Sequence, residues 1–323
     1  MAYEISLGKI RGLQQCSTEK GVIAMLALDH RQNLRKSLNP ADPSSVPDQA
    51  LVDFKREVVT HLAGSSSAVL LDPLYSGAQA LAQGYLPGQV GLVLALEETG
   101  YSGNGQARST DLLPGWDVSK AKRMGASAIK LLVYYHPQAP TSLAIRDLVA
   151  DIAGQCRKAD LAFFLEPLTY SIIAEKMSPA ERREAVVRTA ADLSPLGADI
   201  MKVEFPLDVT KETQETQWLQ ACRELHDACV LPWVLLSASV DFEIFLRQVE
   251  VACTAGASGV AVGRAVWKEA VNLSGQQREE FLRGTARARM QRIRALCDQA
   301  GSPWMGRFTP ATIQPDWYLT YDA

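Results

Sequence analysis

Apolar positions along the chain gather into eight short, continuous runs. They are VIAMLAL (22–28), AVLLD (68–72), GLVLALE (91–97), AIKLLVYY (128–135), LAFFLE (161–166), DIMKVEF (199–205), LPWVLLS (231–237) and GVAVG (259–263). Runs of this length without polar alternation are what strands buried on both faces present. Most are separated by stretches with helical spacing, such as DQALVDFKREVVTHLAG after the first run and SPAERREAVVRTAADLSPLG before the sixth. Eight strand-then-helix units in series predict an α/β fold, a parallel sheet closed into a (β/α)8 TIM barrel. The pattern permits one alternative, an open doubly wound sheet, whose strands read the same way. The barrel is expected over about 20–270 and a C-terminal helical extension over about 271–323, in a single domain. Between the second and third runs there is room only for a short helix around SGAQALAQG.

Two irregular stretches interrupt this rhythm. SLNPADPSSVP (37–47) is rich in proline and serine and reads as a surface loop between the first strand and its helix. ETGYSGNGQARSTDLLPGW (98–116) reads as a long loop after the third strand; its G-N-G lacks the third glycine and the helix of a dinucleotide fingerprint. Two helical segments follow the eighth strand. The second, TARARMQRIRALCDQAG, is basic on one side and reads as a solvated face. The tail, PDWYLTYDA, is either a docking segment or a mobile arm.

In a barrel the chemistry gathers where strands end at their C-terminal side. Those ends hold Asp29 on the first strand, Lys130 on the fourth, Glu166 on the fifth, Lys202 on the sixth, Ser237 on the seventh and Gly263-Arg264 after the eighth. A charge inside an apolar strand is costly unless paired or neutralised, so Lys202 and Glu204 within the sixth run need a reason. Residues two apart share a face. Ile200, Lys202 and Glu204 therefore point one way, and Met201, Val203 and Phe205 the other, which suits an outer layer of helices. The same parity groups Phe164 with Glu166, and Lys130 with Leu132. Two lysines and two or three carboxylates are thus expected to converge in one water-poor space.

An amine held out of water beside a second cation is disfavoured as an ammonium, and the free base attacks carbonyls to form a Schiff base. That chemistry is one reason for Lys202; structural ion pairs with Glu204 or Glu166 are the other. Glu166 then reads as a general acid/base for the carbinolamine and imine steps or as charge balance. Asp29 reads as acceptor of a hydroxyl proton in carbon–carbon cleavage or as a helix cap. Ser237 with Ala238, and Gly263 with Arg264, fit the phosphate cradle that barrels build after their last two strands. Backbone N–H groups and one guanidinium would hold the dianion there.

Charge and composition narrow the partners. With 33 basic against 36 acidic residues the net charge is −3, which argues against nucleic acid or a membrane surface and for a small-molecule substrate. The chain has no apolar run of membrane-spanning length and no basic-then-apolar leader, so the expectation is cytoplasmic. Six cysteines are scattered without a C-x-x-C pair and read as reduced thiols. Four histidines lie far apart, and no spacing recommends a zinc site. Barrels of this size often associate through their outer helices, so a homo-oligomer is expected.

Taken together, LALDHR (26–31), LLLDPLY (69–75), LALEETGY (94–101), AIKLLVYYHP (128–137), FFLEPLTY (163–170), KVEFP (202–206), PWVLLSASV (232–240) and AGASGVAVGRAVW (255–267) resemble a known family. It is that of the class I tagatose 1,6-bisphosphate aldolases of the lactose/galactose pathway, with the related bacterial sulfofructose-phosphate aldolases. The resemblance spans all eight strand ends in order. It implies a metal-independent, cofactor-free Schiff-base aldolase reversibly cleaving a ketohexose 1,6-bisphosphate into dihydroxyacetone phosphate and glyceraldehyde 3-phosphate. Cleavage of 6-deoxy-6-sulfofructose 1-phosphate to dihydroxyacetone phosphate and sulfolactaldehyde is the alternative, and a non-catalytic sugar-phosphate sensor a third. By the same match Lys202 forms the Schiff base, Glu166 is its acid/base partner, Lys130 the second lysine, and Asp29 meets the C3/C4 hydroxyls. Ser237, Ala238, Gly263 and Arg264 hold the C1 phosphate, and His30 and Arg31 are distal substrate contacts. The chain departs from the family in carrying Asp29-His30-Arg31 where D-Q-R is usual, and in a short connection between the sixth and seventh strands.

Overall fold

The computed structural model describes residues 3–238, 240–310, 312–319 and 321. Each apolar run forms a strand: β1 (Ile23–Ala27), β2 (Ala68–Leu71), β3 (Gly91–Ala95), β4 (Ala128–Tyr135), β5 (Ala162–Thr169), β6 (Ile200–Val203), β7 (Trp233–Leu236) and β8 (Gly259–Val262). All eight pair in parallel, in sequence order, and β8 returns to pair with β1 through Gly259↔Ile23 to Val262↔Leu26. The barrel is closed, as the patterning predicts, and the open sheet is excluded.

Amphipathic helices with one buried stripe cover the outside: α1 (Asp48–Leu62), α2 (Gly77–Ala82), α3 (Val118–Arg123), α4 (Ser142–Lys158), α5 (Pro179–Leu193), α6 (Glu215–Ala228) and α7 (Phe242–Thr254). The six-residue α2 is the short helix that the β2–β3 interval allows. At α5 the sequence S-P-A-E builds a capping box: Ser178 accepts from the Glu181 N–H and Glu181 from the Ser178 N–H, with Pro179 opening the first turn. After β8 come short helices, a π-helical turn at Leu282–Ala286, and α8 (Arg287–Ala300), which packs against α7 and β1. The basic side of α8 faces outward, while Met290, Ile293 and Cys297 are buried.

The face opposite the active end is plugged by the N-terminal helix Leu7–Gln15, with Lys9 bonded to Asp199 at 2.9 Å, both buried. Tyr3–Ile5 pairs in parallel with Phe308–Pro310 on this face. The tail docks here too, because the Tyr321 hydroxyl donates to Asp160 and accepts from the Gly8 N–H. Its residues 320, 322 and 323 lie outside the described residues. All six cysteines are buried and unpaired. Among the described residues no helix is long and apolar enough to cross a membrane.

Ring closure depends on a residue without a side chain. Gly259 has φ +126°, and a Cβ there would stand 1.9 Å from the Ile23 carbonyl oxygen. Gly259→Ala is therefore expected to cost about 2–4 kcal/mol, from a strained φ together with a backbone clash. Urea unfolding checks this; a loss below about 1 kcal/mol would show that the seam can relax.

Candidate active site

The inward parity expected from the sequence holds. Lys130, Leu132 and Tyr134 from β4, Glu166 and Leu168 from β5, and Lys202 with the following Glu204 from β6 line one cleft of about 300 Å³. It opens at the C-terminal ends of the strands, where Asp29, His30, Arg31, Glu97, Ser237, Ala238, Gly263 and Arg264 complete the wall. Every residue expected at the site thus reaches the same cleft.

Two lysines sit at its floor in different electrostatic settings. Lys130 Nζ is 2.7 Å from Asp29, 2.6 Å from Glu97 and 3.1 Å from Glu166. Burial opposes its charge, but Asp29, Glu166 and Glu97 together hold its pKa well above the ordinary lysine value. It is a fixed cation. Among the described residues Lys202 Nζ has one carboxylate partner, Glu166 Oε1 at 2.5 Å. The other oxygen of Glu166 faces Lys130 and carries no hydrogen bond among the described residues. Burial alone would raise the pKa of Glu166, yet Lys130 and Lys202 pull it below the usual carboxylate range. Asp29 is likewise held ionised, burial being outweighed by Lys130 and Lys202.

Glu97 belongs to this constellation and was not among the residues picked from the sequence. It ends the third apolar run as Glu166 ends the fifth, so its position at a strand end was the available signal. Its carboxylate takes Lys130 on one oxygen and the Leu132 N–H, at 3.0 Å, on the other. Arg31 is buried and donates to the Glu97 carbonyl. Glu204 is fastened above Lys202 by the Thr169 N–H and hydroxyl, both at 2.7 Å, and by Arg182 at 3.4 Å.

On the β7–β8 side, the Gly263 N–H donates to Ser237 Oγ at 3.0 Å, tying the two strand ends together. Arg264 has no ion pair among the described residues, and its buried Nε has no partner. The guanidinium is thus available to an anion. His30 packs edge-on against Trp267 at 5.5 Å and lies close under Gly263, where a Cβ would come within 3.2 Å of its ring. Its ring therefore borders the Gly263–Arg264 side of the cleft, and Arg31 the β3 side. Burial pushes the His30 pKa down to about 4 against the pull of Asp29, so the imidazole is neutral at physiological pH with Nδ1 unbonded. Among the described residues, no three His, Cys, Asp or Glu are grouped to hold a metal ion.

The cleft thus joins a buried lysine with a carboxylate neighbour, a second lysine locked by carboxylates, and an arginine at the last strand end with no ion pair among the described residues. A family model described as DeoC/LacD family aldolase matches residues 23–269, the length of the barrel. The chain belongs to the DeoC/LacD aldolase family. As an aldolase it is a carbon–carbon lyase. A tagatose 1,6-diphosphate aldolase of Listeria monocytogenes is 31% identical, over 94% of this chain and 96% of the relative. Tagatose 1,6-diphosphate aldolase 2 of Streptococcus mutans is 29% identical, over 93% and 97%. Among solved structures, an archaeal fructose 1,6-bisphosphate aldolase matches with a TM-score of 0.58 at 22% identity, over 89% of this aldolase and 99% of that chain. The fructose-bisphosphate aldolase of Plasmodium falciparum matches at 0.69 and 14%, over 93% and 98%. At those identities the likeness carries the fold.

Proposed function

We propose that the protein is a class I aldolase whose Lys202 forms a Schiff base with a ketohexose 1,6-bisphosphate, tagatose 1,6-bisphosphate being the foremost candidate. The observation that carries this is the contrast between the lysines: three carboxylates surround Lys130, whereas Lys202 borders open cleft with Glu166 alone beside it. The named activity of the Listeria and Streptococcus relatives supports the substrate class.

In this reading the Lys202 amine gives a proton to Glu166 and adds to the ketose carbonyl. Glu166 returns the proton to the carbinolamine hydroxyl, water leaves, and an iminium remains. Asp29 accepts the proton of the C4 hydroxyl as the C3–C4 bond breaks. The bonding electrons move into the iminium, giving an enamine and the free three-carbon aldehyde. Protonation of the enamine and addition of water release dihydroxyacetone phosphate and restore the amine. Lys130 keeps Asp29 and Glu166 in register as a cation and takes no covalent part. The C1 phosphate lies against Arg264 and the joined ends at Ser237, Ala238 and Gly263.

Incubation with dihydroxyacetone phosphate and borohydride should add the mass of the reduced substrate to the peptide containing Lys202. No adduct, or one on Lys130, overturns the assignment. Comparing kcat/KM for tagatose 1,6-bisphosphate, fructose 1,6-bisphosphate and 6-deoxy-6-sulfofructose 1-phosphate then fixes the substrate, and a preference for the last would move it to the sulfonated class.

A further inference from the structure

The loop after β3 has so far taken no part in the chemistry, yet it is built with care. Ser102–Asn104 and Ala107–Ser109 pair as an antiparallel hairpin, its tip set by Asn104 Oδ1 accepting from the Gln106 and Ala107 N–H groups. Glu98, Thr99 and Gly100, which lead into it, line the cleft. Arg108 projects from the return strand into a ring of tyrosines. Its guanidinium carbon is 4.5 Å from the Tyr101 ring centre, 4.4 Å from Tyr170 and 5.8 Å from Tyr134, which itself lines the cleft. Arg108 has no ion pair among the described residues, and its buried Nε has no hydrogen-bond partner.

A half-buried guanidinium with a buried, unpartnered Nε and no ion pair among the described residues is open to another source of negative charge. Tyrosine faces hold the group in place by cation–π attraction without neutralising it. The order of strands in the ring says where that charge comes from. β3 lies four strands from β7, and β4 four from β8, on the opposite wall. A substrate anchored at Arg264 and bonded to Lys202 on β6 runs across the mouth toward the hairpin.

We infer that Arg108 is a specificity residue that recognises the tetrahedral anion on the aldehyde-side end of the substrate, a phosphate or a sulfonate. The inference rests on the aldolase reading above and deepens it. It makes preference for a substrate charged at both ends the work of two arginines on opposite walls, Arg264 and Arg108, neither of them in an ion pair among the described residues. The tyrosine ring pre-orients the guanidinium, so little side-chain freedom is lost on binding.

The test compares tagatose 1,6-bisphosphate with tagatose 1-phosphate, which lacks the distal anion. Arg108→Gln should raise KM for the bisphosphate by about tenfold or more, the usual effect of removing a charge-assisted contact, with kcat little changed. KM for the 1-phosphate should stay as in the wild type. Arg108→Lys should recover part of the loss. Borohydride trapping of dihydroxyacetone phosphate, which has no distal end, should proceed in Arg108→Gln at the wild-type rate. Equal losses on both ketoses, or failed trapping in the variant alone, would make Arg108 a mere fastener of the hairpin and overturn the inference. Replacing the bisphosphate with 6-deoxy-6-sulfofructose 1-phosphate separates the two anions; either showing the Arg108 dependence supports it. Wild-type protein that neither traps dihydroxyacetone phosphate nor cleaves any ketose instead overturns the aldolase reading itself.

Discussion

Lys202→Met is expected to lower kcat/KM by about four orders of magnitude or more, because in the proposed mechanism it removes the covalent nucleophile and leaves only binding and electrostatic terms. Met has nearly the length of the lysine stem, so the wall of β6 keeps its packing. Glu166 keeps Lys130 at 3.1 Å and is not stranded as an unpaired charge. The variant should therefore fold with an unchanged near-UV circular dichroism spectrum, and its melting temperature should stay within a few degrees or rise, as often happens when a catalytic charge is removed. Rates and melting curves on the same preparation check both halves. Residual activity above about one per cent of wild type would point to another nucleophile.

Lys130→Met should behave in the opposite way, losing stability as well as activity. Asp29, Glu97 and Glu166 are largely out of water and meet at this ammonium, with Glu166 alone also paired to Lys202 among the described residues. Deleting it leaves buried carboxylates facing one another, at a cost of about 3–5 kcal/mol. The pH dependence carries the signature. In the wild type, Asp29 and Glu166 have folded pKa values below their unfolded ones. Their stabilisation is present above the ordinary carboxylate pKa and is lost as pH falls through the folded values. Lys130, raised above its ordinary value, stabilises fully below the unfolded lysine pKa and loses this only as pH rises through its folded value. In the variant the carboxylates repel and take up protons more readily when folded, so stability should recover as pH drops from 7 toward 5. A melting temperature that falls with pH over that range in both proteins would refute the shared-ammonium account.

The contrast between these two lysines also shows what a linear sequence conveys and what it hides. The barrel was legible because each strand is a local run of apolar residues, and the inward set was legible because strand parity is fixed: Lys202 with Glu204 and Lys130 with Leu132 line the cleft as their spacing requires. Which carboxylate meets which lysine was not legible. Asp29, Glu97 and Glu166 come from three strands far apart in the chain, and only closure of the ring brings them around Lys130. Glu97 is the last residue of an apolar run, a position that marks a strand end without naming its partner. The hairpin in the loop after β3 had a local sign, Asn104 ahead of the Gly105-Gln106 loop, a residue type whose side chain accepts from the backbone N–H groups two and three residues on. The short helix Gln32–Leu38 carried weaker signs, since it has neither a side-chain cap nor an acidic first turn.

The pairing of Gly259 with Ile23 also governs how the molecule is made. More than two hundred residues separate the partners of this last seam, so β1 leaves the ribosome with an open edge and waits through most of translation for its neighbour. Loop-closure entropy on that scale places barrel completion late on the folding route. Until then the apolar edge of β1 is the surface that nascent chains of this aldolase expose to one another, and to the chaperones that shield them.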